Sequence, residues 1–185
     1  LNIGRLTDSK NQIELIQSFK ELIRYYPKYK LLILGEGKNH IKLLNIIKIH
    51  NLESNIFLLG FVDNPYPLIK NCFALVSSSK FEGLSMVMVE GFILNKNLIA
   101  TSCDGVSREI LAPFNTCSLE SENISKEQFG IIVENKKNIV ENLLLSFTTM
   151  IEDEKYRDSI NKSYEDVDDL FSDKTNLHKW KEILI

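Results

Sequence analysis

Short, mainly apolar runs alternate with longer segments of helical periodicity along most of this chain, and that alternation constrains the fold more than any other feature. The runs are Leu1-Asn-Ile-Gly4, Lys30-Leu-Leu-Ile-Leu-Gly35, Asn55-Ile-Phe-Leu-Leu-Gly60, Cys72-Phe-Ala-Leu-Val-Ser77, Leu98-Ile-Ala-Thr101 and Phe129-Gly-Ile-Ile-Val133. A strand that is apolar at successive positions must be covered on both faces, which parallel strands with crossover helices achieve. The expected architecture is therefore α/β: a doubly wound parallel sheet of six strands, helices on both faces, and extra helices at the C-terminal end. In such sheets ligands bind beyond the carboxyl ends of the strands. Arg5, Gly35, Gly60 and Glu82 all follow strand ends and can converge there.

The 185 residues are enough for one well-buried domain, and no linker, repeat or low-complexity segment divides them. A net charge of -3 and a pI near 5.7 give no general attraction to nucleic acid or to an anionic membrane. No apolar run approaches the ~20 residues of a spanning helix. Cys72, Cys103 and Cys117 are odd in number and widely spaced, which suits reduced thiols in a cytoplasmic protein. His40, His50 and His178 make no metal-ligand pattern with them, so no metal site is expected. The start inside Leu1-Asn-Ile-Gly4 reads as the end of a strand and suggests a fragment of a longer protein.

The chemistry concentrates in Ser79-Lys-Phe-Glu82-Gly83-Leu84-Ser85-Met86-Val-Met-Val-Glu90-Gly91, a loop and helix directly after the fourth strand. Ser85 is a good N-cap, and the amides of Leu84, Ser85 and Met86 would then point from the helix start toward an anion. Glu82 sits beside that anion site, where a carboxylate is better explained by hydroxyl groups of the same ligand. Glu90 follows about 12 Å along the helix axis at ~1.5 Å per residue, too far to share a proton with Glu82. The two acids can instead grip opposite ends of an elongated ligand.

Two other stretches carry basic or glycine signals. Gly4-Arg5-Leu6 precedes a helix expected from about Lys10 to Tyr26, with Ser9 and Gln12 as a capping box. A lysine in the first helical turn opposes the macrodipole, so Lys10 and Arg5 are either a phosphate clamp or two solvated cations. Gly35-Glu-Gly37 follows a strand, but the third glycine of a dinucleotide fingerprint would fall at His40. Those glycines let a turn pass close to a ligand or to a neighbouring strand. The region from Ala112 to Gln128 is polar and is expected to be a surface excursion; helices are expected over 138–151, 153–171 and 175–185.

Glu82, seven residues, Glu90, set within Ser79-x-x-Glu82-Gly83, resembles the signature of the retaining family 4 glycosyltransferases of GT-B fold. Gly4-Arg5-Leu6 with Lys10 resembles the same family's basic element, and the likeness runs to about Val133. It implies a Rossmann-like donor-binding half of a GT-B enzyme that moves a sugar from a nucleotide diphosphate sugar to a glycan, lipid or other cell-surface acceptor. No metal or other cofactor is implied. Arg5 and Lys10 would neutralise the diphosphate, Glu82 would contact hydroxyls of the transferred sugar, and Glu90 the ribose. Gly4, Gly35, Gly37 and Gly83 would border the donor, and Gly60-Phe61-Val62 the base. Asp104-Gly105-x-x-x-Glu109 resembles the family's turn into its next helix, while Asn95 and Asn97 stand where relatives usually have Gly and Pro. The acceptor would come from a missing N-terminal domain, which could also bring peripheral association with a membrane. The stripe Leu177, Trp180, Ile183 and Leu184 in 175–185 would pack toward that domain. A nucleotide-sugar epimerase of similar fold and a non-catalytic nucleotide-binding module are the alternatives.

Overall fold

The six apolar runs become parallel strands, covered on both faces except for the edge strand Ile56–Gly60, where Phe57 and Leu59 are exposed. The computed structural model describes residues 1–103, 106–113, 123–135 and 137–171, leaving aside the side chains of Val106 and of residues 166–171. Its strands are β1 (Asn2–Ile3), β2 (Leu31–Leu34), β3 (Ile56–Gly60), β4 (Ala74–Ser77), β5 (Asn97–Thr101), β6 (Ile124–Glu127) and β7 (Gly130–Val133). Its helices are α1 (Gln12–Leu22), α2 (His40–Ile49), α3 (Tyr66–Asn71), α4 (Met86–Ile93), α5 (Val106–Leu111), α6 (Ile139–Glu152) and α7 (Glu154–Phe171).

The strands order as β3-β2-β1 and β4-β5-β7-β6. The two groups meet where the Val76 amide donates to the Leu1 carbonyl at 2.8 Å and Asn2 Nδ2 donates to the Val76 carbonyl at 2.8 Å. The chain thus winds outward in both directions from the β1/β4 junction, the switch point where such sheets leave a crevice. One face packs on α1, α2, α6 and α7 through Leu15, Ile16, Phe19, Leu43, Leu143, Phe147 and Ile160. The other packs on α3, α4 and α5 through Ile69, Met88, Ile110 and Leu111.

The sheet has a seventh strand that the periodicity does not announce. Part of the expected surface excursion, Ile124–Glu127, runs antiparallel to β7. Its buried residues are Ser125 and Glu127, so its pattern is polar toward the protein. Ser125 Oγ donates to Glu127 Oε1 at 2.6 Å, and Arg108 of α5 lies 3.2 Å from the same oxygen. These partners offset the desolvation of a carboxylate that has left water. Of the six apolar residues of α2 only Leu43 and Ile47 are buried, and Ile49 is 73% exposed. The segments 104–105, with the Asp104-Gly105 turn, and 175–185, with Trp180, lie outside the described residues. Asn95, at φ 53°, takes the left-handed turn conformation required after α4.

α4 is drawn tightly onto the sheet at Gly91, where a Cβ would sit 2.5 Å from Leu75 Cδ2 and 2.8 Å from Leu98 Cδ2. Both leucines are fully buried, so neither can yield without disturbing the core. Gly91→Ala is expected to destabilise the domain by about 1–3 kcal/mol through overpacking, despite alanine's better helix propensity. A lower urea midpoint with an unchanged slope would show it; a higher midpoint would mean that α4 moves outward freely.

Candidate functional site

The cleft is built where β1 and β4 end. After β1 the chain turns through Gly4, Arg5 and Leu6, held by Gly4 N–H to the Leu34 carbonyl at 2.9 Å and Leu6 N–H to the Glu36 carbonyl at 2.8 Å. The Gly35-Glu-Gly37 turn makes this possible. A Cβ on Gly35, at φ +127°, would lie 2.1 Å from the Gly4 carbonyl oxygen, and one on Gly37 would lie 2.4 Å from that of Leu6. Of the two readings of these glycines, the close neighbour is the adjoining chain.

Lys10 does not open α1. It ends a 3-10 turn, Asp8–Lys10, and Asn11 follows in the left-handed region at φ 58° before α1 begins. The expected capping box does not form: Ser9 Oγ pairs with Thr7 Oγ1 at 3.0 Å, and Gln12 Nε2 donates to the Arg5 carbonyl at 3.1 Å. The 3-10 turn is fixed from its outer side by Asp8, which meets Lys38 at 2.6 Å and Asn39 Nδ2 at 2.9 Å. Hydrogen bonds from Lys38 and then Asn39 hold the Asp8 carboxyl down to about 2. A depressed carboxyl contributes stability that is present above its usual range and is lost as pH falls through about 2.

The turn and the loop after β4 are stitched together. Ser78 Oγ donates to the Lys10 carbonyl at 2.8 Å, and the Lys80 amide donates to the Ser9 carbonyl at 2.7 Å. This brings Lys10 Nζ to 2.5 Å from Glu82 Oε2, an ion pair whose side chains are 22% and 18% exposed. Ser79 Oγ donates to the same oxygen at 2.7 Å. Arg5 is exposed, and its guanidinium has no hydrogen-bond or ion-pair partner among the described residues. α4 begins at Ser85, whose backbone has the extended N-cap conformation although its hydroxyl makes no capping bond. The first α4 amide to reach an acceptor within the chain is that of Met88, to the Ser85 carbonyl at 3.0 Å. The amides just before it are the ordinary unsatisfied donors of a helix start.

Gly4, Arg5, Lys10, Glu82, Leu84, Ser85 and Met86 together line a cleft of about 310 Å³. Gly83 and Glu82 line a small recess beside it with Ser77, Met88 and Cys103. Gly35, Gly37, Gly60, Phe61, Val62 and Glu90 are not among the cleft's lining residues. Gly60 is tied to the site's framework, its carbonyl accepting from the Gly35 amide at 2.7 Å, while Phe61 is 72% exposed. Glu90 is half-buried on α4, and loss of solvent there pushes its carboxyl above the usual range. Glu109, on α5, is exposed. The residues that local reading passes over are Gln12 and the partner set of Ser79, whose only sequence signal is small polar side chains at strand ends.

A cationic rim, helix-start amides and a carboxylate with both a lysine and a serine partner suit a ligand carrying a diphosphate and hydroxyl groups. Among the described residues no group of three His, Cys, Asp or Glu is placed to hold a metal ion, and no helix is long and apolar enough to cross a membrane.

The chain is similar to known proteins in sequence and in fold. An uncharacterised glycosyltransferase of Methanocaldococcus jannaschii is 34% identical over 198 residues, covering 100% of this chain and 48% of its own. The N-acetylgalactosamine-N,N'-diacetylbacillosaminyl-diphospho-undecaprenol 4-alpha-N-acetylgalactosaminyltransferase of Campylobacter jejuni is 33% identical over 159 residues, covering 85% of this chain and 38% of its own. The chain therefore spans less than half the length of these relatives. In fold it is similar to the pneumococcal O-GlcNAc transferase GtfA, solved in complex with UDP and GlcNAc, with a TM-score of 0.76 at 18% identity over 98% of this chain and 34% of that one. The model of the family described as glycosyl transferases group 1 matches residues 1–167, and the chain belongs to that family.

Proposed function

We propose that this chain is the donor-binding half of a retaining glycosyltransferase, which moves a sugar from a nucleotide diphosphate sugar to a glycan, lipid or other cell-surface acceptor without a metal. The observation that carries the reading is the meeting of Arg5, Lys10, Glu82 and the start of α4 in one cleft at the β1/β4 switch point. Arg5 is free to take a phosphate as the structure stands, and Lys10 has three protons, of which the contact with Glu82 occupies one. As the glycosidic bond breaks, negative charge grows on the leaving diphosphate, and fixed cations beside it stabilise that change more than they stabilise the bound donor. Glu82, held by Ser79, faces the same space and supplies acceptor oxygens for sugar hydroxyls. Two relatives, named for an undecaprenol-linked acceptor and for poly(glycerol-phosphate), suit an acceptor at a cell surface. In this reading the acceptor is brought by a partner domain, and the enzyme works in the cytoplasm at the inner face of a membrane.

The direct test incubates the gene product, expressed in full, with uridine, guanosine and adenosine diphosphate sugars in the presence of chelator. Release of nucleoside diphosphate is expected, with the sugar passed to an added saccharide or lipid-linked acceptor, or slowly to water, and with its anomeric configuration retained. Conversion of the sugar while still attached to its nucleotide would instead favour an epimerase.

Glu90 adds a dependence on pH. Ribose hydroxyls that donate to its carboxylate favour the ionised form, and burial in the free protein disfavours it. Donor binding should therefore strengthen as pH rises through the raised free-state value of Glu90 and level off above it. Glu90→Gln removes this component. Identical pH profiles for the two proteins would take Glu90 out of the site.

A further inference from the structure

Ser79 is 2% exposed, and its main-chain oxygen accepts from Thr101 Oγ1 at 2.5 Å, Cys103 Sγ at 3.1 Å and Asn135 Nδ2 at 3.2 Å. A carbonyl has two lone pairs, so one donor would satisfy its burial and three hold it in place. The donors come from the ends of two adjacent strands, since Thr101 closes β5, pairs with Val133 of β7, and Asn135 follows just beyond. Asn135 Nδ2 also reaches the Lys80 carbonyl at 3.3 Å. From the opposite side Ser78 and Lys80, which flank Ser79, are held by the 3-10 turn, through the Ser78 hydroxyl and the Lys80 amide. The Ser79 side chain then passes that placement on to Glu82.

Thr101 is 1% exposed within the sheet, so its loss would disturb the core. Asn135 is only half-buried, lies outside the cleft lining, and meets the loop through its amide alone. We infer that Asn135 is a positioning residue: by holding the Ser79 and Lys80 carbonyls it sets the direction in which Ser79, and through it Glu82, faces the transferred sugar. The inference rests on the donor-site reading above. It separates two properties of the site, because Arg5 follows β1 and Lys10 ends the 3-10 turn, both on segments other than the loop that Asn135 holds. Losing the Asn135 amide should slow transfer and leave diphosphate binding alone.

The test compares the full gene product with Asn135→Ala and Asn135→Asp, measuring kcat, donor KM, affinity for bare nucleoside diphosphate and urea midpoint. Asn135→Ala is expected to lower kcat by roughly tenfold, as for one lost hydrogen bond, with KM, affinity and midpoint unchanged within about twofold. Asn135→Asp keeps the shape but turns a carboxylate toward two carbonyls, and it should be slower still. A side chain that merely fills space would make the aspartate variant as active as the unaltered enzyme, which would overturn the proposal. So would an unchanged kcat in Asn135→Ala, or a loss of affinity and midpoint in step with kcat. If the unaltered protein binds no nucleoside diphosphate, the donor-site reading fails and this inference with it.

Discussion

Replacing Lys10 by alanine is expected to weaken binding of a nucleoside diphosphate by roughly 10- to 100-fold, the size of one charge-assisted hydrogen bond lost from a site sheltered from water. Two effects act in the same direction. The phosphate loses its ammonium partner, and Glu82, only 18% exposed, is left as an uncompensated negative charge beside the place where the diphosphate must sit. The loss should shrink as salt is raised, because the attraction between Lys10 and a dianionic ligand is screened over ~10 Å at 0.1 M ionic strength. Titration calorimetry at two salt concentrations measures both. An affinity within twofold of the unaltered protein would mean that Lys10 serves only to pair with Glu82.

Glu82→Gln should separate binding from turnover. The carboxylate holds Lys10 at 2.5 Å, so a diphosphate that takes the ammonium's other protons still competes with Glu82 for its position and charge. Glutamine keeps the shape and ends the competition. Bare nucleoside diphosphate should therefore bind as well or up to ~10-fold tighter, while transfer falls by about 1–3 kcal/mol of transition-state stabilisation, a ~10- to 100-fold lower kcat. Reading the sequence alone, Glu82 should matter only when a sugar is attached; the Lys10 pair makes it matter to the bare nucleotide too. Weaker binding of the bare nucleotide by this variant would show that the carboxylate orients Lys10 toward the phosphate and does not compete with it.

Why the pair was invisible before the fold is a matter of distance along the chain. Lys10 and Glu82 are 72 residues apart, and periodicity reports only which face of an element a residue shares with its near neighbours. The strand ends were legible because an apolar run buried on both faces has little choice of structure. The meeting of Arg5 and Glu82 followed from them, since carboxyl ends of parallel strands share one edge, whereas Gly35 and Gly60, expected to converge with them, do not line the cleft. The local detail around Lys10 was misread for a physical reason. Ser9 and Gln12 have capping-box spacing, but Asn11 tolerates the left-handed conformation at φ 58°, so the chain reverses there and α1 starts two residues after Lys10. β6 escaped because its inward residues, Ser125 and Glu127, are polar, and their mutual hydrogen bond with the Arg108 ion pair makes that burial tolerable. Asn135 carries no signal of its own, because its contacts are with carbonyl groups contributed by a loop elsewhere in the chain.

The central claim is that two cations and a helix start are sufficient to hold a nucleoside diphosphate here. Calorimetric titration of the protein with uridine and guanosine diphosphate, in chelator, tests it most directly when repeated with Arg5→Ala. The account predicts saturable binding in chelator that magnesium does not strengthen, weakened severalfold by Arg5→Ala. Binding that vanishes in chelator and returns with magnesium, or tighter binding of a nicotinamide dinucleotide than of either diphosphate, would contradict it.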